Sequence, residues 1–466
     1  MCSSRHRFRW LVIVLLVHSS VGVSTRAAAP LQDWIDIHKA NPAYWQYKGK
    51  PVLLLGGSKD DNLFQIPDLK EHLELLASVG GNYIRNTMSS RNDKGFEVQA
   101  FKRLPDGEYD LEQWNDEYWQ RFENMLKWTR QQDIIVQIEV WATFDYYREN
   151  WAANPFNPKN NISYTAEQTA LPEKVDSHPT RCENNFFWSV PAEKNQKIVL
   201  KYQQRFVDKM LSYSLRFGNV LYCMDNETSV TPEWGKYWSQ YIKAKAKAAG
   251  VRVHTTEMWD KWDLAHSQHN ATFDHPEIYS FVDISQNNHQ KGQAHWDNAQ
   301  RQRARIADKI RPLNNTKIYG ADTGRFGNDR DGMERFWRNI FGGMASARFH
   351  RPDSGLGLDE KAQANIRSMR LLTGEMDVFS CAPHNDLLSD KEDNEAYCLA
   401  NPGKEYALYF PDGGEVTLDV SAAKKPVKIR WLDIMKCQWK DAQAVQDGSR
   451  LKLRCPGPRY WAVLVQ

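Results

Sequence analysis

Residues 194–228 read KNQKIVLKYQQRFVDKMLSYSLRFGNVLYCMDNET, and this stretch contains one complete helix-to-strand unit. Apolar residues recur at steps of three and four between residues 198 and 211, which is the spacing of one buried helix face. Gly218 stands where a helix C-cap is expected, and the run Asn219–Asn226 after it is typical of a buried strand. The unit predicts an α/β fold with a polar residue, Glu227, directly after the strand.

The same alternation of short apolar runs and amphipathic stretches continues on both sides of this unit. Eight such units within about 330 residues predict a (β/α)8 barrel. A doubly wound sheet is the alternative, but no Gly-rich phosphate loop follows the first strand. The expected strands are Pro51–Gly57, Asn82–Asn86, Ile134–Trp141, Asn219–Asn226, Val251–Glu257, Phe281–Ser285, Thr316–Asp322 and Ala345–His350.

Helices are expected between these strands, and one long loop interrupts them. The loop Phe144–Pro191 is rich in Asn and Pro, and a loop of that length in a folded domain usually forms part of a binding site. The expected helices are Ile66–Gly80, Asp116–Gln132, Lys194–Phe217, Glu233–Gly250, a weakly marked Trp262–His269, Asp297–Arg311, Asp331–Gly343 and Asp359–Thr373.

The pattern changes after Cys381, where runs of five or six residues alternate with turn signals such as Asn401-Pro402-Gly403. This pattern predicts an all-β module, most simply a small sandwich. We therefore expect a signal peptide at 1–29, a catalytic barrel at 30–380 and a C-terminal β-sandwich at 381–466.

The N-terminus has the three parts of a secretory signal. Arg5, Arg7 and Arg9 precede the apolar run Leu11–Val17, and Ala27-Ala28-Ala29 offers small residues for cleavage. The apolar run Leu11–Val17 is far shorter than the roughly 20 apolar residues that span a bilayer. We therefore expect a secreted or periplasmic protein without a membrane span.

The composition narrows the class of ligand. The 61 basic and 58 acidic residues nearly balance, which argues against a nucleic-acid binder driven by net charge. The abundance of aromatic residues, with 18 Trp, 19 Tyr and 19 Phe, suits stacking on sugar rings. Six cysteines follow Cys2 and permit three disulfides of undetermined connectivity. No CxxC or HExxH pattern occurs, so we expect no metal and no cofactor.

In a barrel, functional side chains stand at the carboxyl ends of the strands. The residues there suit a ligand with many hydroxyl groups, and two facing carboxylates would cleave a glycosidic bond. Each also has a structural reading: a Glu can cap a helix, a Trp can pack in the core, and Arg85 can hold a carboxylate ionised. The candidate site residues are Glu227, Asp322, Arg85, Asn86, Glu139, Trp141, Asn226, Glu257, Trp259, His289, Arg348 and His350.

Asn226-Glu227 resembles the clan A glycoside hydrolases, whose acid/base is a Glu preceded by Asn at the end of strand four. Residues 44–57 and 62–65 are similar to the opening of the apiosidase-like barrels of that clan. The C-terminal β-domain of the same proteins, which carries a collagen-binding label, is matched by residues 406–419, 429–433 and 460–464.

The resemblance implies a secreted glycoside hydrolase that cleaves O-glycosidic bonds of a polysaccharide or oligosaccharide. It gives Glu227 the role of general acid/base, and we expect a pKa raised toward the working pH. It puts Asp322 in the place of the nucleophile, where clan members ordinarily have Glu. Because Asp is shorter than Glu, the distance between the two carboxyl groups could be the roughly 5–5.5 Å of a retaining enzyme or the roughly 6.5–9.5 Å of an inverting one. Glu257 is the alternative second carboxylate.

Two other functions compete with this interpretation. The first is a catalytically inactive protein that binds a glycan or a matrix protein. The second is a polysaccharide lyase on the same face, using His289 or Arg348. Turnover separates a hydrolase from a binder, and the absorbance of unsaturated uronides identifies a lyase.

Overall fold

Two of the sequence-based predictions fall on residues that the structure does not describe. The structure, a computed structural model, describes residue 1 and residues 33–91, 94–321, 326–424, 426–445 and 448–466. All but the first residue of the expected signal peptide, and the expected catalytic residue Asp322, lie outside these ranges. Both therefore stay predictions from the sequence.

Eight short parallel strands carry the α/β part of the chain. They are β1 (Leu54–Gly57), β2 (Tyr83–Thr87), β3 (Ile135–Ala142), β4 (Val220–Asn226), β5 (Thr255–Thr256), β6 (Val282–Asp283), β7 (Leu313–Asn314) and β8 (Ser346–Phe349). Six of them form one parallel sheet in the order β5-β4-β3-β2-β1-β8, and β6 pairs with β7 in a second sheet. Because every residue of β2, β3 and β4 is buried, both faces of this part of the sheet are covered.

The seventh strand differs from the prediction. The sequence predicts a strand over Thr316–Asp322, whereas the ladder with β6 lies earlier, at β7, and Ile318 makes an isolated bridge to β8. Side-chain hydroxyls replace ladder partners here, because Ser285 Oγ accepts from the backbone N–H of Thr316 at 2.8 Å and of Lys317 at 3.1 Å. The predicted fifth and sixth strands are also shorter, with two residues each in β5 and β6.

The helices lie between the strands, near the predicted positions with one exception. The predicted fifth helix, Trp262–His269, is instead a 3₁₀ turn at Ser267–His269 followed by a four-residue helix, because the stretch lacks a continuous apolar stripe. The helices are α1 (Leu69–Ser78), α2 (Asp116–Gln131), α3 (Arg148–Ala153), α4 (Ala166–Thr169), α5 (Lys197–Ser214), α6 (Pro232–Ala248), α7 (Asn270–Phe273), α8 (Gly292–Arg305), α9 (Asp329–Phe341) and α10 (Glu360–Glu375).

Two small antiparallel elements accompany the parallel strands. Asp36–Ile37, Trp45–Tyr47 and Lys50–Val52 form a three-stranded sheet ahead of β1. Phe101–Arg103 pairs with Tyr109–Trp114 between β2 and α2.

The C-terminal region consists of two antiparallel sheets. Its strands are β9 (Ala382–Pro383), β10 (Leu388–Ser389), β11 (Tyr397–Asn401), β12 (Glu405–Phe410), β13 (Glu415–Asp419), β14 (Val427–Asp433), β15 (Gln438–Trp439), β16 (Gln443–Val445), β17 (Arg450–Arg454) and β18 (Trp461–Val465). One sheet has the order β9-β11-β12-β18-β14-β15, with β16 also on β14, and the other has the order β10-β13-β17. An apolar cluster contains residues from both sheets, including Leu408 and Val463 from the first and Leu418 and Leu453 from the second.

This β-rich region packs directly against the helices of the α/β part. The rings of Trp337 on α9 and Tyr409 on β12 stack with centroids 5.2 Å apart. Ser368 Oγ on α10 donates to the carbonyl of Ile434 at 2.6 Å. Because these residues are buried, the two parts share one continuous apolar core.

Two further features concern the chain as a whole. Among the residues that the structure describes, no helix combines the length and the apolar composition needed to cross a bilayer. The disulfides that the sequence permits are not formed in this structure. Free thiols are carried by Cys182, Cys223, Cys381, Cys398, Cys437 and Cys455.

Candidate active site

A cavity of about 320 Å³ opens beyond the carboxyl ends of the strands. Six residues of the long loop, between positions 144 and 179, form one of its walls. The residues from the strand ends that line it include Asn226, Glu227, Lys317, Tyr319, His350 and Arg351.

Glu227 stands directly after β4, with its backbone in the left-handed region at φ 55°. One carboxylate oxygen, Oε1, receives every hydrogen bond and ion pair that the described residues make with this side chain. Lys317 Nζ lies 2.8 Å away, Tyr319 OH donates at 2.7 Å and Gln286 Nε2 donates at 3.3 Å. The side chain is 18% exposed and lines the cavity.

These contacts determine the ionisation of Glu227. Burial by itself would raise the pKa, but the Lys317 ammonium and the hydrogen bonds from Lys317 and Tyr319 outweigh it and lower the pKa to about 2. The expectation of a raised pKa is therefore wrong for this structure. Glu227 is an ionised carboxylate across the whole neutral and mildly acidic range.

A second carboxylate at the cavity, Asp61, is surrounded by cations. Arg85 Nη1 contacts its Oδ1 atom, and Arg351 Nη1 lies 3.1 Å and Arg91 Nη1 3.8 Å from its Oδ2 atom. Burial would raise the pKa of Asp61, but these guanidinium groups hold it well below its usual range. Burial lowers the pKa of the neighbouring His350 well below its ordinary value, so this imidazole is neutral at pH 7.

Six of the candidate residues from the sequence meet at or beneath this cavity. Asn226, Glu227 and His350 line it, and His289 packs edge-on against the ring of Tyr319 at 5.2 Å. Arg85 and Glu139 are fully buried below it and form an ion pair with Nε and Oε1 2.5 Å apart. These two support the wall and do not touch the space in which a ligand would lie.

The two candidate tryptophans do not reach the cavity. Trp141 is completely buried, with its ring 5.2 Å from that of Trp238. Trp259 is 2% exposed and donates its indole N–H to Thr272 Oγ1 at 2.7 Å. Because each ring packs between strands and helices, neither offers the stacking surface for a sugar that the sequence suggested.

The remaining polar candidates also serve the interior. Asn86 Oδ1 accepts from the backbone N–H of Phe64 at 2.9 Å, and Arg348 Nε donates to Ser58 Oγ at 2.9 Å. Both side chains are fully buried and stand apart from the cavity wall. The sequence suggested that these two side chains bind the ligand. In the structure they instead hold the strand ends in place.

Glu257 forms a buried pair with Asp225 behind the cavity. Its Oε1 atom accepts from the backbone N–H of Asp225 and of Met258, both at 2.9 Å. Burial raises the pKa of Asp225 to about 8, although hydrogen bonds from Trp234 and Glu257 act in the opposite direction. Burial, and then the Asp225 carboxyl, raise the pKa of Glu257 well above its ordinary value. The pair therefore carries protons at pH 7, and Glu257 is not accessible to a ligand.

Replacing Glu257 with Gln is expected to flatten the pH dependence of stability. Both folded-state pKa values are raised, so the folded chain holds protons that the unfolded chain loses above a pH of about 4, and stability falls from there through about pH 8. Each such proton contributes a slope of about 1.4 kcal/mol per pH unit. Urea unfolding at a series of pH values should give a smaller slope for the variant than for the wild type, and equal slopes would contradict this.

Several residues of the cavity were not among the candidates from the sequence. Lys317 and Tyr319 flank Ile318 in the segment expected to be strand seven. Because side chains alternate between the two faces of a strand, this spacing could have shown that Lys317 and Tyr319 share one face, opposite to Ile318. Asp61 and Arg351 come from loops, and the density of charge around Ser58–Asp61 was the available signal.

The comparisons with known proteins concern the fold. No protein-family profile matches the sequence, and no curated protein sequence matches it.

Solved structures do match. A structure described as a glycoside hydrolase superposes with a TM-score of 0.62 at 9% identity, covering 93% of this chain and 97% of the other. A glycoside hydrolase family 5 structure from Bacteroides vulgatus ATCC 8482 gives 0.62 at 10% identity, covering 93% of each. A maltogenic alpha-amylase from Thermotoga neapolitana gives 0.52 at 12%, covering 88% and 98%. The chain thus shares its fold with glycoside hydrolases that include a family 5 member, and at these identities the similarity is one of fold.

Proposed function

We propose that this protein is a secreted glycoside hydrolase that cleaves O-glycosidic bonds of a polysaccharide or oligosaccharide in the cavity beyond β4. The observation that carries the proposal is the state of Glu227. Its Oε1 atom is held by Lys317 and Tyr319, and the side chain lines the cavity as a carboxylate whose pKa is lowered to about 2. A fixed carboxylate of this kind can act on an anomeric carbon or on a water molecule beside it.

In this mechanism Glu227 acts as the ionised member of the carboxylate pair. It attacks the anomeric carbon through Oε2, or it takes a proton from water that attacks instead, and the charge that develops on the sugar is stabilised by the same carboxylate. Lys317 and Tyr319 fix the orientation of the group and keep it charged. The general acid role that the family resemblance implies for Glu227 is less compatible with a pKa of about 2.

For the second carboxylate of the pair we keep Asp322. Asp322 follows Tyr319 by three positions in the sequence and stays the prediction from the resemblance, although it lies outside the described residues. Glu257 is disfavoured, because both of its oxygens are buried and Oε1 is taken by backbone N–H groups. We therefore expect Glu257→Gln to keep the activity within a few-fold.

The completeness of the barrel and the type of the C-terminal domain are part of the same proposal. We infer a complete (β/α)8 barrel, supported by hydrogen bonds on either side of the β6-β7 ladder. Ser280 N donates to Thr255 O at 3.1 Å, and Ala345 N donates to Leu313 O at 2.9 Å. The apiosidase-like subtype and the β-sandwich nature of the C-terminal domain rest on the sequence resemblance and on the two facing sheets.

A screen of the purified protein against plant, algal and animal polysaccharides tests this function. Release of reducing ends without new ultraviolet absorbance is the expected result. Products that absorb as unsaturated uronides would indicate the lyase instead, and binding without any release would indicate the glycan-binding protein. Either of these results would overturn the proposal.

Replacing Lys317 with Met is expected to shift the acid limb of the pH profile upward. Methionine is a slightly shorter, uncharged chain that removes the ammonium 2.8 Å from Glu227, so the pKa of Glu227 rises from about 2. The limb of log kcat/KM should move up by about one to three pH units, as for loss of a close opposite charge.

The matched control for this prediction is Lys309→Met, at an exposed lysine. It should leave the profile unchanged. An acid limb that stays in place in the Lys317 variant would show that this lysine does not set the ionisation of Glu227.

A further inference from the structure

A second cavity, of about 530 Å³, lies beside the first cavity, the one that Glu227 lines. Its walls come from α1, from the segment between β8 and α10, and from the first turns of α9 and α10. Because α1 and α9 each connect two parallel strands, their N-terminal ends stand at the carboxyl ends of the strands before them. Both cavities therefore lie on the same face, and both volumes are within the roughly 300–1,000 Å³ typical of ligand sites.

A thin wall separates the two cavities, and three segments of the chain contribute to both. Each segment has one residue that lines the first cavity and, one or two positions away, a residue that lines the second. Residues so close in sequence have Cα atoms at most roughly 7 Å apart, so the two cavities are immediate neighbours. The pairs, with the residue of the first cavity named first, are Asp61 and Lys59, Tyr319 and Ala321, and Arg351 and Pro352.

Two partly exposed ion pairs line the second cavity. Lys59 pairs with Asp68 at the N-terminus of α1, and Lys361 on α10 pairs with Asp329 on α9. An ammonium group has three N–H donors and a carboxylate accepts several hydrogen bonds, so each pair can bond hydroxyl groups as well. The four side chains are between 20% and 52% exposed and are therefore within reach of a ligand.

Helix α1 adds an apolar and a polar side chain to this lining. Leu75 is 40% exposed, which is unusual for a leucine on a helix that packs against a sheet. His72, one turn earlier, is 5% exposed, and its Nε2 atom has no hydrogen-bond partner among the described residues. Burial lowers the pKa of His72 to about 4, so the imidazole is neutral at pH 7. Apolar surface beside a few fixed polar groups is the usual lining of a small-molecule site.

The charge of the lining favours a neutral ligand. Its described residues carry four carboxyl groups against two ammonium groups, so a uronate or a sulfate would be repelled. The acidic and histidine residues that the structure describes form no group that could hold a metal ion. The carboxyl groups are those of Asp68, Glu71, Asp329 and Asp359, and the ammonium groups are those of Lys59 and Lys361.

We propose that the second cavity binds further sugar residues of the chain that is cleaved beside Glu227, and that the substrate is a neutral glycan several residues long. This inference rests on the proposed function and adds to it the length and the charge of the substrate. The bond to be cleaved lies in the first cavity, and the chain continues across the wall formed by residues 59–61, 319–321 and 351–352. Contacts in the second cavity then supply binding energy that a short substrate lacks.

The test measures how kcat/KM depends on chain length. The substrates are the dimer and the hexamer prepared from the polysaccharide that the screen identifies. The wild type should prefer the hexamer by roughly 10- to 100-fold, as a few additional hydrogen bonds would give. Leu75→Trp places a bulky ring at an exposed position on the wall of the second cavity and should reduce this preference to about twofold or less. Lys361→Met removes one ion pair of the lining and should lower the preference as well, and it replaces the first variant if that one does not fold.

The matched control is Leu371→Trp, at a leucine of α10 that is 36% exposed and lies outside the lining. It should keep the preference of the wild type. A measurement without turnover uses the Glu227→Gln variant, to which the hexamer should bind roughly tenfold or more tightly than the dimer in calorimetric titration. Adding Leu75→Trp to that variant should remove the difference.

Three results would overturn the inference. They are equal kcat/KM for the dimer and the hexamer in the wild type, a full preference for the hexamer in Leu75→Trp and Lys361→Met, and hydrolysis confined to chains that carry uronate or sulfate groups. In each of these cases the protein still hydrolyses a glycan, so the proposed function stands. A wild type that hydrolyses no glycan would instead refute the proposed function.

Discussion

Replacing Glu227 with Gln is expected to lower kcat/KM on the natural glycan by roughly 10³-fold or more while binding survives. The amide keeps the size of the side chain and can still accept from Tyr319 OH, but it has no charge with which to act on the anomeric carbon or on water. Rates of reducing-end release, together with calorimetric titration of the same glycan, measure the two effects separately.

The matched control is Glu233→Gln in the first turn of α6, where the carboxylate is 41% exposed and pairs with Lys236. It should show the activity of the wild type. Hydrolysis at close to the wild-type rate by the Glu227 variant would remove this residue from the mechanism.

Replacing Arg85 with Met is expected to produce the largest loss of stability. The guanidinium is fully buried and bonds both Asp61 and Glu139, so its removal leaves two carboxylates in the interior without their main partner. Removing one partner of a buried ion pair lowers the free energy of unfolding by about 3–5 kcal/mol. Urea unfolding followed by circular dichroism measures the change.

The exposed Arg103 offers a control, because its Nε atom donates only to the carbonyl of Gly107 at 3.1 Å among the contacts of the described residues. Arg103→Met should unfold within about 0.5 kcal/mol of the wild type. An Arg85 variant as stable as the wild type would contradict the structural role assigned to this cluster.

The position of Glu227 could be predicted from the sequence because it depends on local information. One helix-to-strand unit is defined by the helical period between residues 198 and 211, the glycine at 218 and the apolar run to Asn226. The end of that run marks the carboxyl end of the strand, which places Glu227 directly after it. The six longer strands of the C-terminal region were predictable for the same reason, since alternation and turn residues mark each of them.

The ionisation of Glu227 could not be predicted, because its cause is distant along the chain. Tyr319 lies 92 positions from Glu227, and Lys317 approaches from the same segment. The sequence indicates that Glu227 is partly buried, and burial alone raises the pKa of a carboxyl. It does not indicate the Lys317 ammonium 2.8 Å away, which lowers the pKa instead.

The roles of Trp141 and Trp259 illustrate a different limit. Both stand near strand ends, where the sequence alone cannot distinguish a side chain that faces the cavity from one that faces a helix. The helix α6 and the loop 144–191 bring further aromatic rings against Trp141. The ring of Trp141 is therefore covered by core packing on all sides.

The most direct test of the account is the activity of Glu227→Gln on the dinitrophenyl glycoside of the sugar identified in the screen. This leaving group departs without a proton, so a variant that lacks only the general acid recovers activity on it. The account holds that Glu227 acts as an ionised carboxylate, and it predicts that the variant stays at least roughly 10³-fold below the wild type on this substrate too. Recovery to near the wild-type rate would contradict it and return Glu227 to the acid role that the family resemblance implies.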